Sequence, residues 1–201
     1  LLIRLDSPGK AIFSQPRLGL HGHVFRMHKF RKFPGHWGSQ GAPITVAADA
    51  RMTRLGRILE RTKLDELPQL WNILRGEMSF VGPRPESLPF KDLFVDEFAH
   101  VHDYVPGIFG PNQVLFRNES HLYPPDQDPE IFYREQLFPR KAQNDLDYFS
   151  RATLTSDLIW VLRGLWWSII GVIDWRQVMR RSGRILIADF VLIQLAWLGA
   201  N

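Results

Sequence analysis

The Gly-Pro-Arg-Pro run at 82–85 constrains the fold of this chain more than any other feature of its sequence. A proline disfavours the α region for the residue before it, so the two prolines impose an extended segment there. Upstream, apolar residues recur at helical spacing over 55–59 and 67–74, with Thr53 as a candidate N-cap and Gly76 as a terminator. The sequence therefore predicts two helices that lead into an extended segment.

The remaining segments complete a prediction of the α+β class. We expect a mainly helical, membrane-associated domain with a small β-hairpin element and interfacial amphipathic helices. Glycine and proline breakers over 8–33 indicate short strands and turns, and the composition of 34–50 indicates a loop. Further along, 86–104 is predicted to be helical, 105–130 to be loops, and 130–150 to be helical again.

Apolar segments bear on the location of the chain. Residues 158–173 contain three tryptophans, and Arg163 is their only charged residue. Tryptophan favours the headgroup region, which predicts a helix in the membrane interface; a buried core helix is the alternative. Residues 1–5, apolar except for Arg4, indicate either the last turn of a membrane-embedded helix or a frayed strand. Residues 185–199 are again apolar but shorter than the roughly 20 residues that a spanning helix needs.

Net charge and cysteine content narrow the partners and the chemistry. Lys plus Arg exceed Asp plus Glu by 25 to 21, which suits an anionic partner such as a nucleotide, a phosphate or an acidic lipid. The basic residues are dispersed and accompany no nucleic-acid-binding motif, so nucleic acid is not expected as a partner. The absence of cysteine excludes disulfides, thiolate metal sites and cysteine nucleophiles.

Two adjacent carboxylates, Asp65 and Glu66, precede Pro68 at the start of the second predicted helix. Proline is tolerated in a first turn, where the positive end of the helix dipole would keep Asp65 ionised and attract phosphate. One place would then hold a carboxylate nucleophile and the phosphoryl group that it attacks. Because two anions repel, a carboxylate that approaches a diphosphate needs a divalent cation, usually Mg²⁺, or several Arg and Lys residues to neutralise the charge. The alternative is that both are ordinary helix-start residues.

Five basic residues are candidates for phosphate contacts: Lys29, Arg31, Arg51, Arg54 and Arg84. The prolines on both sides of Arg84 lower the entropy that it would lose on binding. For any one of the five, a solvated surface charge is the better interpretation. Only their grouping, with an arginine framed by prolines among them, favours phosphate binding.

The chain also resembles a known family through motifs that occur in a fixed order. They are Gln-Pro-Arg-Leu-Gly at 15–19, Lys-Phe-Arg at 29–31, Asp-Ala-Arg-Met-Thr-Arg-Leu-Gly at 49–56, Leu-Asp-Glu-Leu-Pro-Gln-Leu-Trp-Asn at 64–72, Met-Ser-Phe-Val-Gly-Pro-Arg-Pro at 78–85 and Pro-Gly-Ile-Phe-Gly at 106–110, followed by Gln113. The series resembles the bacterial sugar transferase family, the monotopic phosphoglycosyl transferases, over about residues 1–165.

The resemblance implies a two-step reaction at the cytoplasmic face of the bacterial inner membrane, at the start of polysaccharide or glycoconjugate synthesis. Asp65 would attack the β-phosphate of a UDP-sugar, release UMP and hold the sugar phosphate until undecaprenyl phosphate displaces it. Glu66 would help to bind Mg²⁺, and Arg84 would contact the nucleotide or its phosphates. The resemblance also assigns substrate binding to three residues of the matching motifs, Gln69, Asn72 and Gln113.

The sequence departs from the family pattern at several positions. Lys32 and Phe33 stand where the family usually has Thr-Met, while Ala48 and Glu60 stand where it usually has Gly and Arg. Phe-Gly-Pro-Asn-Gln at 109–113 replaces the more usual Thr-Gly-Leu-Ala-Gln. These changes leave the identity of the sugar open. They also leave open a second function, that of a catalytically inactive membrane-surface scaffold or nucleotide-sugar sensor.

We expect the catalytic domain to span residues 1–175, and residues 176–201 to form a linker and the start of a C-terminal membrane segment. Residues 180–201 resemble the opening of the membrane region in polysaccharide-biosynthesis epimerase/dehydratase proteins. This resemblance implies that a fused domain follows the transferase.

Overall fold

The computed structural model describes residues 2–34 and 51–170. A short helix, α1 (Leu2–Asp6), precedes an antiparallel hairpin of strands β1 (Ile12–Leu18) and β2 (Val24–Phe30). The predicted β-hairpin element is therefore confirmed.

The two predicted helices are present as α2 (Arg54–Thr62) and α3 (Gln69–Leu74). The Thr53 hydroxyl accepts a hydrogen bond from an amide one turn later at 2.9 Å, which confirms it as the N-cap of α2. Between the helices the chain forms a 3-10 turn, Leu64–Glu66. The two carboxylates therefore lie in a separate turn before α3 and not in its first turn, which corrects the prediction from sequence.

Strands β3 (Ser79–Val81) and β4 (Gly107–Phe109) are short and pair in parallel. The extended segment that the prolines predict begins at the end of β3. The two backbones lie so close that a Cβ atom on Gly107 would come within 2.1 Å of the Gly82 nitrogen. A residue without a side chain is needed at such an approach. Sequence patterns predict loops over 105–130, so β4 is an element that they miss.

The segment between β3 and β4, predicted to be helical, forms two 3-10 helices, Leu88–Leu93 and Asp96–Asp103. Val95 separates the two because its backbone is extended, with φ −118° and ψ 163°. After β4, helix α4 (Pro111–Leu115) and a 3-10 turn (Glu119–His121) lie in the stretch that was predicted as loops.

The last part of the described chain is helical. Helix α5 (Pro129–Phe132), a π turn (Tyr133–Leu137) and α6 (Phe138–Phe149) confirm the helical prediction for 130–150, and α7 (Leu154–Ile170) follows. Helix α6 packs against the second 3-10 helix. One cluster of buried apolar residues contains Phe90, Val101, Tyr133, Leu137, Phe138 and Ala142. The architecture is α+β and mainly helical, with two small sheets.

Within the described ranges, no helix is both long enough and apolar enough to cross a membrane. The loop predicted over 34–50 lies outside the described residues except for its first member. The linker and membrane segment predicted over 176–201 also lie outside them.

Candidate active site

Asp65 and Glu66 are buried in the turn between α2 and α3, with 2% and 7% of their surfaces exposed. Lys63 ends α2 in the left-handed region at φ 59°, which turns the chain off the helix axis and explains why the acidic pair forms a turn of its own. Hydrogen bonds from the Glu66 amide to the Lys63 carbonyl and from the Leu67 amide to the Leu64 carbonyl close this turn, at 3.1 and 3.2 Å. It presents two carboxylates inside the protein, where an unpaired charge is unfavourable.

Glu66 is held by two cations. Its Oε1 accepts a hydrogen bond from the Lys29 ammonium at 3.0 Å and lies 3.5 Å from a guanidinium nitrogen of Arg84. Burial alone would raise the pKa of this carboxyl, but Lys29, Arg84 and Lys63 together hold the pKa well below its ordinary value. Glu66 is therefore a carboxylate at neutral pH. Burial lowers the pKa of Lys29 to about 8, against the attraction of Glu66.

Asp65 is less completely paired. Its Oδ2 lies 3.8 Å from the Lys32 ammonium nitrogen, and no described residue donates a hydrogen bond to its buried Oδ1. Burial raises the pKa of Asp65 above its ordinary value, and the nearby lysine ammonium groups offset this only in part. A desolvated oxygen without a partner gains free energy from a new bond, which is the condition of an activated nucleophile.

Arg84 reaches Glu66 from the extended segment that follows β3, and Gln113 fixes that segment. The Gln113 side-chain amide donates hydrogen bonds to the carbonyl oxygens of Gly82 and Gly107 at 3.0 and 3.1 Å, and so bridges the two backbones. Its Oε1 is buried and has no hydrogen-bond partner within the described part of the chain. The structure thus places Gln113 in the support of Arg84, and its predicted contact with substrate stays a prediction.

Asn72 and Gln69, the other residues predicted to bind substrate, are buried in α3. The Asn72 side chain donates to the Arg26 carbonyl oxygen at 2.8 Å and to Glu77 at 2.6 Å, and accepts from the His28 amide at 3.1 Å. These bonds join α3 to β2, so Asn72 helps to position the strand that carries Lys29, the lysine paired with Glu66.

The structure places the remaining predicted phosphate ligands in other contacts. Arg31 donates hydrogen bonds to three backbone carbonyl oxygens, one within α1 and two just beyond its end, at 2.7 to 3.3 Å. The Arg51 guanidinium lies over the ring of Phe33, 5.4 Å from its centroid. Arg54 is exposed at the first position of α2. Binding of phosphate by these three residues stays a prediction.

Comparison with known sequences connects this geometry to a family. Residues 1–171 match the family described as "Bacterial sugar transferase". The chain belongs to the bacterial sugar transferase family. The resemblance that the motifs indicate is thereby confirmed.

Three curated relatives show the similarity of this family member to named enzymes. A "UDP-N-acetylgalactosamine-undecaprenyl-phosphate N-acetylgalactosaminephosphotransferase" from Aeromonas hydrophila is 35% identical over 166 residues, 81% of this chain and 36% of that protein. A "UDP-glucose:undecaprenyl-phosphate glucose-1-phosphate transferase" from Caulobacter vibrioides is 37% identical over 169 residues, 81% of this chain and 58% of that protein. A relative of the same name from Xanthomonas campestris pv. campestris is 38% identical over 162 residues, 78% of this chain. The chain spans 31% of that third relative.

Three cations near the acidic pair of this bacterial sugar transferase family member were not selected from sequence: Lys32, Lys63 and Arg117. Lys63 stands only two residues before Asp65, so the sequence alone could have indicated a cation near this carboxyl. Its charge counteracts the rise that burial causes in the pKa of Asp65. The Arg117 guanidinium donates to the Arg61 carbonyl oxygen at 2.7 Å. It follows α4 and reaches the site only through the tertiary fold, so no local pattern predicts it.

Proposed function

We propose that this member of the bacterial sugar transferase family is the catalytic part of a phosphoglycosyl transferase. It would move a sugar 1-phosphate from a UDP-sugar to undecaprenyl phosphate and release UMP, at the first membrane step of polysaccharide or glycoconjugate synthesis. The observation that carries the proposal is the buried acidic pair, in which Glu66 is paired with cations while Oδ1 of Asp65 has no partner among the described residues. The names of the relatives support the substrates, because each names undecaprenyl phosphate and a UDP-sugar.

Asp65 is the proposed nucleophile of the first step. Its Oδ1 forms a bond to the β-phosphorus of the UDP-sugar, while the bond from that phosphorus to the bridging oxygen breaks and UMP leaves with the electron pair. Lys29 and Arg84, which both contact Glu66 Oε1, would stabilise the phosphate oxygens. Glu66 keeps these two cations oriented before the donor arrives, so the site is organised in advance.

The second step regenerates the enzyme. A phosphate oxygen of undecaprenyl phosphate attacks the same phosphorus, the bond to Oδ1 breaks, and Asp65 returns as a carboxylate. A covalent intermediate lets one site serve a soluble donor and a membrane-bound acceptor in turn.

Mg²⁺ is the proposed cofactor. Among residues 2–34 and 51–170, no group of three or more His, Cys, Asp or Glu side chains is arranged to hold a metal ion by itself. Two carboxylates nevertheless fit Mg²⁺, which usually binds one or two carboxylates together with substrate phosphates and water. Asp65 and Glu66 would hold the ion, and when bound it would neutralise charge on the diphosphate.

The cytoplasmic face of the inner membrane is the proposed location. Helices α3 and α7 expose large apolar side chains, including Trp71, Leu74 and Leu154, which are 56%, 79% and 90% exposed. Apolar side chains such as these, a tryptophan among them, suit the boundary between water and lipid. Binding at that boundary would bring the site to the undecaprenyl acceptor.

The reaction is tested by measuring UMP release from a panel of UDP-sugars with Mg²⁺, with and without undecaprenyl phosphate. We expect release that depends on the lipid for one or a few donors. If the full-length protein that contains this chain released no UMP from any donor of the panel, the proposal would be contradicted and the inactive scaffold or sensor favoured.

Replacement of the nucleophile tests the mechanism. The Asp65→Asn variant keeps the size of the side chain but removes the negative charge that makes its oxygen a nucleophile, so we expect UMP release to fall by at least about a thousandfold while UDP-sugar binding persists. Asp126→Asn, at an exposed position, serves as the matched control. Turnover at the wild-type rate in the Asp65 variant would refute the assignment.

A further inference from the structure

Lys32 is anchored against α2 by its backbone. Its carbonyl oxygen accepts a hydrogen bond from the Thr53 amide at 3.0 Å. The first turn of α2 also packs directly on it, since a Cβ atom on Gly56 would lie only 2.2 Å from the same oxygen. The end of β2 and the start of α2 are therefore joined at this residue, which fixes where the lysine side chain begins.

The side chain extends from this anchor to two carboxylates. Its ammonium donates a hydrogen bond to Glu60 Oε1 at 2.8 Å and lies 3.8 Å from Asp65 Oδ2. The lysine side chain is 20% exposed, that of Glu60 39% and that of Asp65 3%. The ammonium thus lies between a half-exposed carboxylate and the buried one.

Lys32 and Glu60 are both positions where the sequence departs from the family pattern, and the structure shows that the two departures meet in one ion pair. Neither residue was selected as a site residue from sequence. Their pairing gives this chain a cation on the Oδ2 side of Asp65 that the motifs alone do not reveal.

We propose, on the basis of the proposed function, that Lys32 is a positioning residue that holds Oδ2 of Asp65, leaves Oδ1 as the attacking atom, and favours release of the carboxylate in the second step. The first step removes a negative charge from the Asp65 carboxyl as the bond from Oδ1 to phosphorus forms. The second step restores that charge as the bond breaks. A cation close to Oδ2 stabilises the carboxylate, so it makes Asp65 a better leaving group.

Glu60 controls how strongly this cation acts. Its carboxylate shares the Lys32 ammonium, so the attraction between Lys32 and Asp65 is weaker than it would be with Lys32 alone. Removal of Lys32 and removal of Glu60 should therefore change the balance between the two steps in opposite directions.

The test follows the two steps separately, with UDP-glucose and UDP-N-acetylgalactosamine that carry a radioactive β-phosphate. Label captured on the protein reports the first step, and its discharge to added undecaprenyl phosphate reports the second. For Lys32→Met we expect the ratio of discharge rate to capture rate to fall at least about tenfold, so that labelled protein accumulates. Lys32→Arg should restore most of the discharge, and Lys91→Met, at an exposed position, is the control.

Glu60→Gln keeps the test decisive if the Lys32→Met variant does not fold, because Glu60 is partly exposed. In this variant we expect the discharge-to-capture ratio to rise about twofold to fivefold. A ratio unchanged in the folded variants, or rates of both steps lowered equally, would overturn the role of Lys32 and leave the proposed function intact. Failure of the wild-type protein to capture label from these two donors, and from every other UDP-sugar of the panel, would instead count against the proposed function, and the role of Lys32 would fall with it.

Discussion

Replacement of Asp145 by asparagine should stabilise the protein at neutral and alkaline pH. Asp145 lies on α6, is only 5% exposed, and its Oδ1 has no hydrogen-bond partner within the described residues. Burial raises the pKa of this carboxyl to about 7 from an ordinary value of 3.8, although the Asn112 side chain and the Lys141 ammonium favour the charged form. The folded protein therefore keeps a proton that the unfolded chain has already released.

The size of the effect follows from these two pKa values. As pH rises through the window between them, the unfolded chain binds fewer protons than the folded one, so the free energy of unfolding falls. The slope is about 1.4 kcal/mol for each pH unit, and the total loss is about 4 kcal/mol once pH exceeds the folded-state pKa. Asparagine does not ionise, so Asp145→Asn removes this loss while it preserves the size of the side chain.

Urea unfolding at about pH 5 and about pH 8, followed by tryptophan fluorescence, measures the difference. We expect the gain in unfolding free energy from Asp145→Asn to be larger at the higher pH by about 2–3 kcal/mol. Asp147→Asn, an exposed neighbour on the same helix, should show no such dependence. Equal changes at both pH values in the Asp145 variant would refute the assignment of a buried, protonated carboxyl.

Two further substitutions test the support of the site. Asn72→Ala should lower the free energy of unfolding by about 1–3 kcal/mol in urea titrations, because it leaves partly buried backbone groups of β2 without these partners. Wild-type stability with lost UDP-sugar binding would instead make Asn72 a ligand. Gly107→Ala should destabilise by about 1–3 kcal/mol or more, because its Cβ atom would meet the β3 backbone. Gly76→Ala, which meets nothing within 4 Å, should lose only about 1 kcal/mol from its left-handed backbone, and an equal loss at both glycines would contradict this explanation.

The elements that the sequence predicted correctly are those defined by neighbouring residues. The N-cap of α2, the helical spacing in α3 and the breakers around the hairpin all act within a few positions, so their signals are local. The acidic pair was selected for the same reason, since Asp65 and Glu66 are adjacent. The predicted place of the pair at the start of a helix was only approximate, because Asp65 and Glu66 form a 3-10 turn of their own before α3, which the left-handed Lys63 sets off from α2.

Features that depend on contacts between distant parts of the chain were not predicted from the sequence. Strand β4 has three residues and pairs in parallel with β3 across two 3-10 helices, so no alternation pattern marks it. Lys32 approaches Asp65 only because the end of β2 packs on α2. Arg31 belongs to the same basic cluster in sequence, yet its guanidinium goes to the end of α1, and sequence spacing alone does not separate the two outcomes.

The hydrogen bonds of Arg31 connect α1, at the beginning of the described chain, to the strand that reaches the acidic pair. A single guanidinium binds three carbonyl oxygens in and just after α1, and it belongs to Arg31, the residue directly after β2. Lys29 lies two positions earlier, with its ammonium on Glu66. A shift of the first helix would therefore displace the backbone next to Lys29, whose ammonium pairs with Glu66 beside the proposed nucleophile.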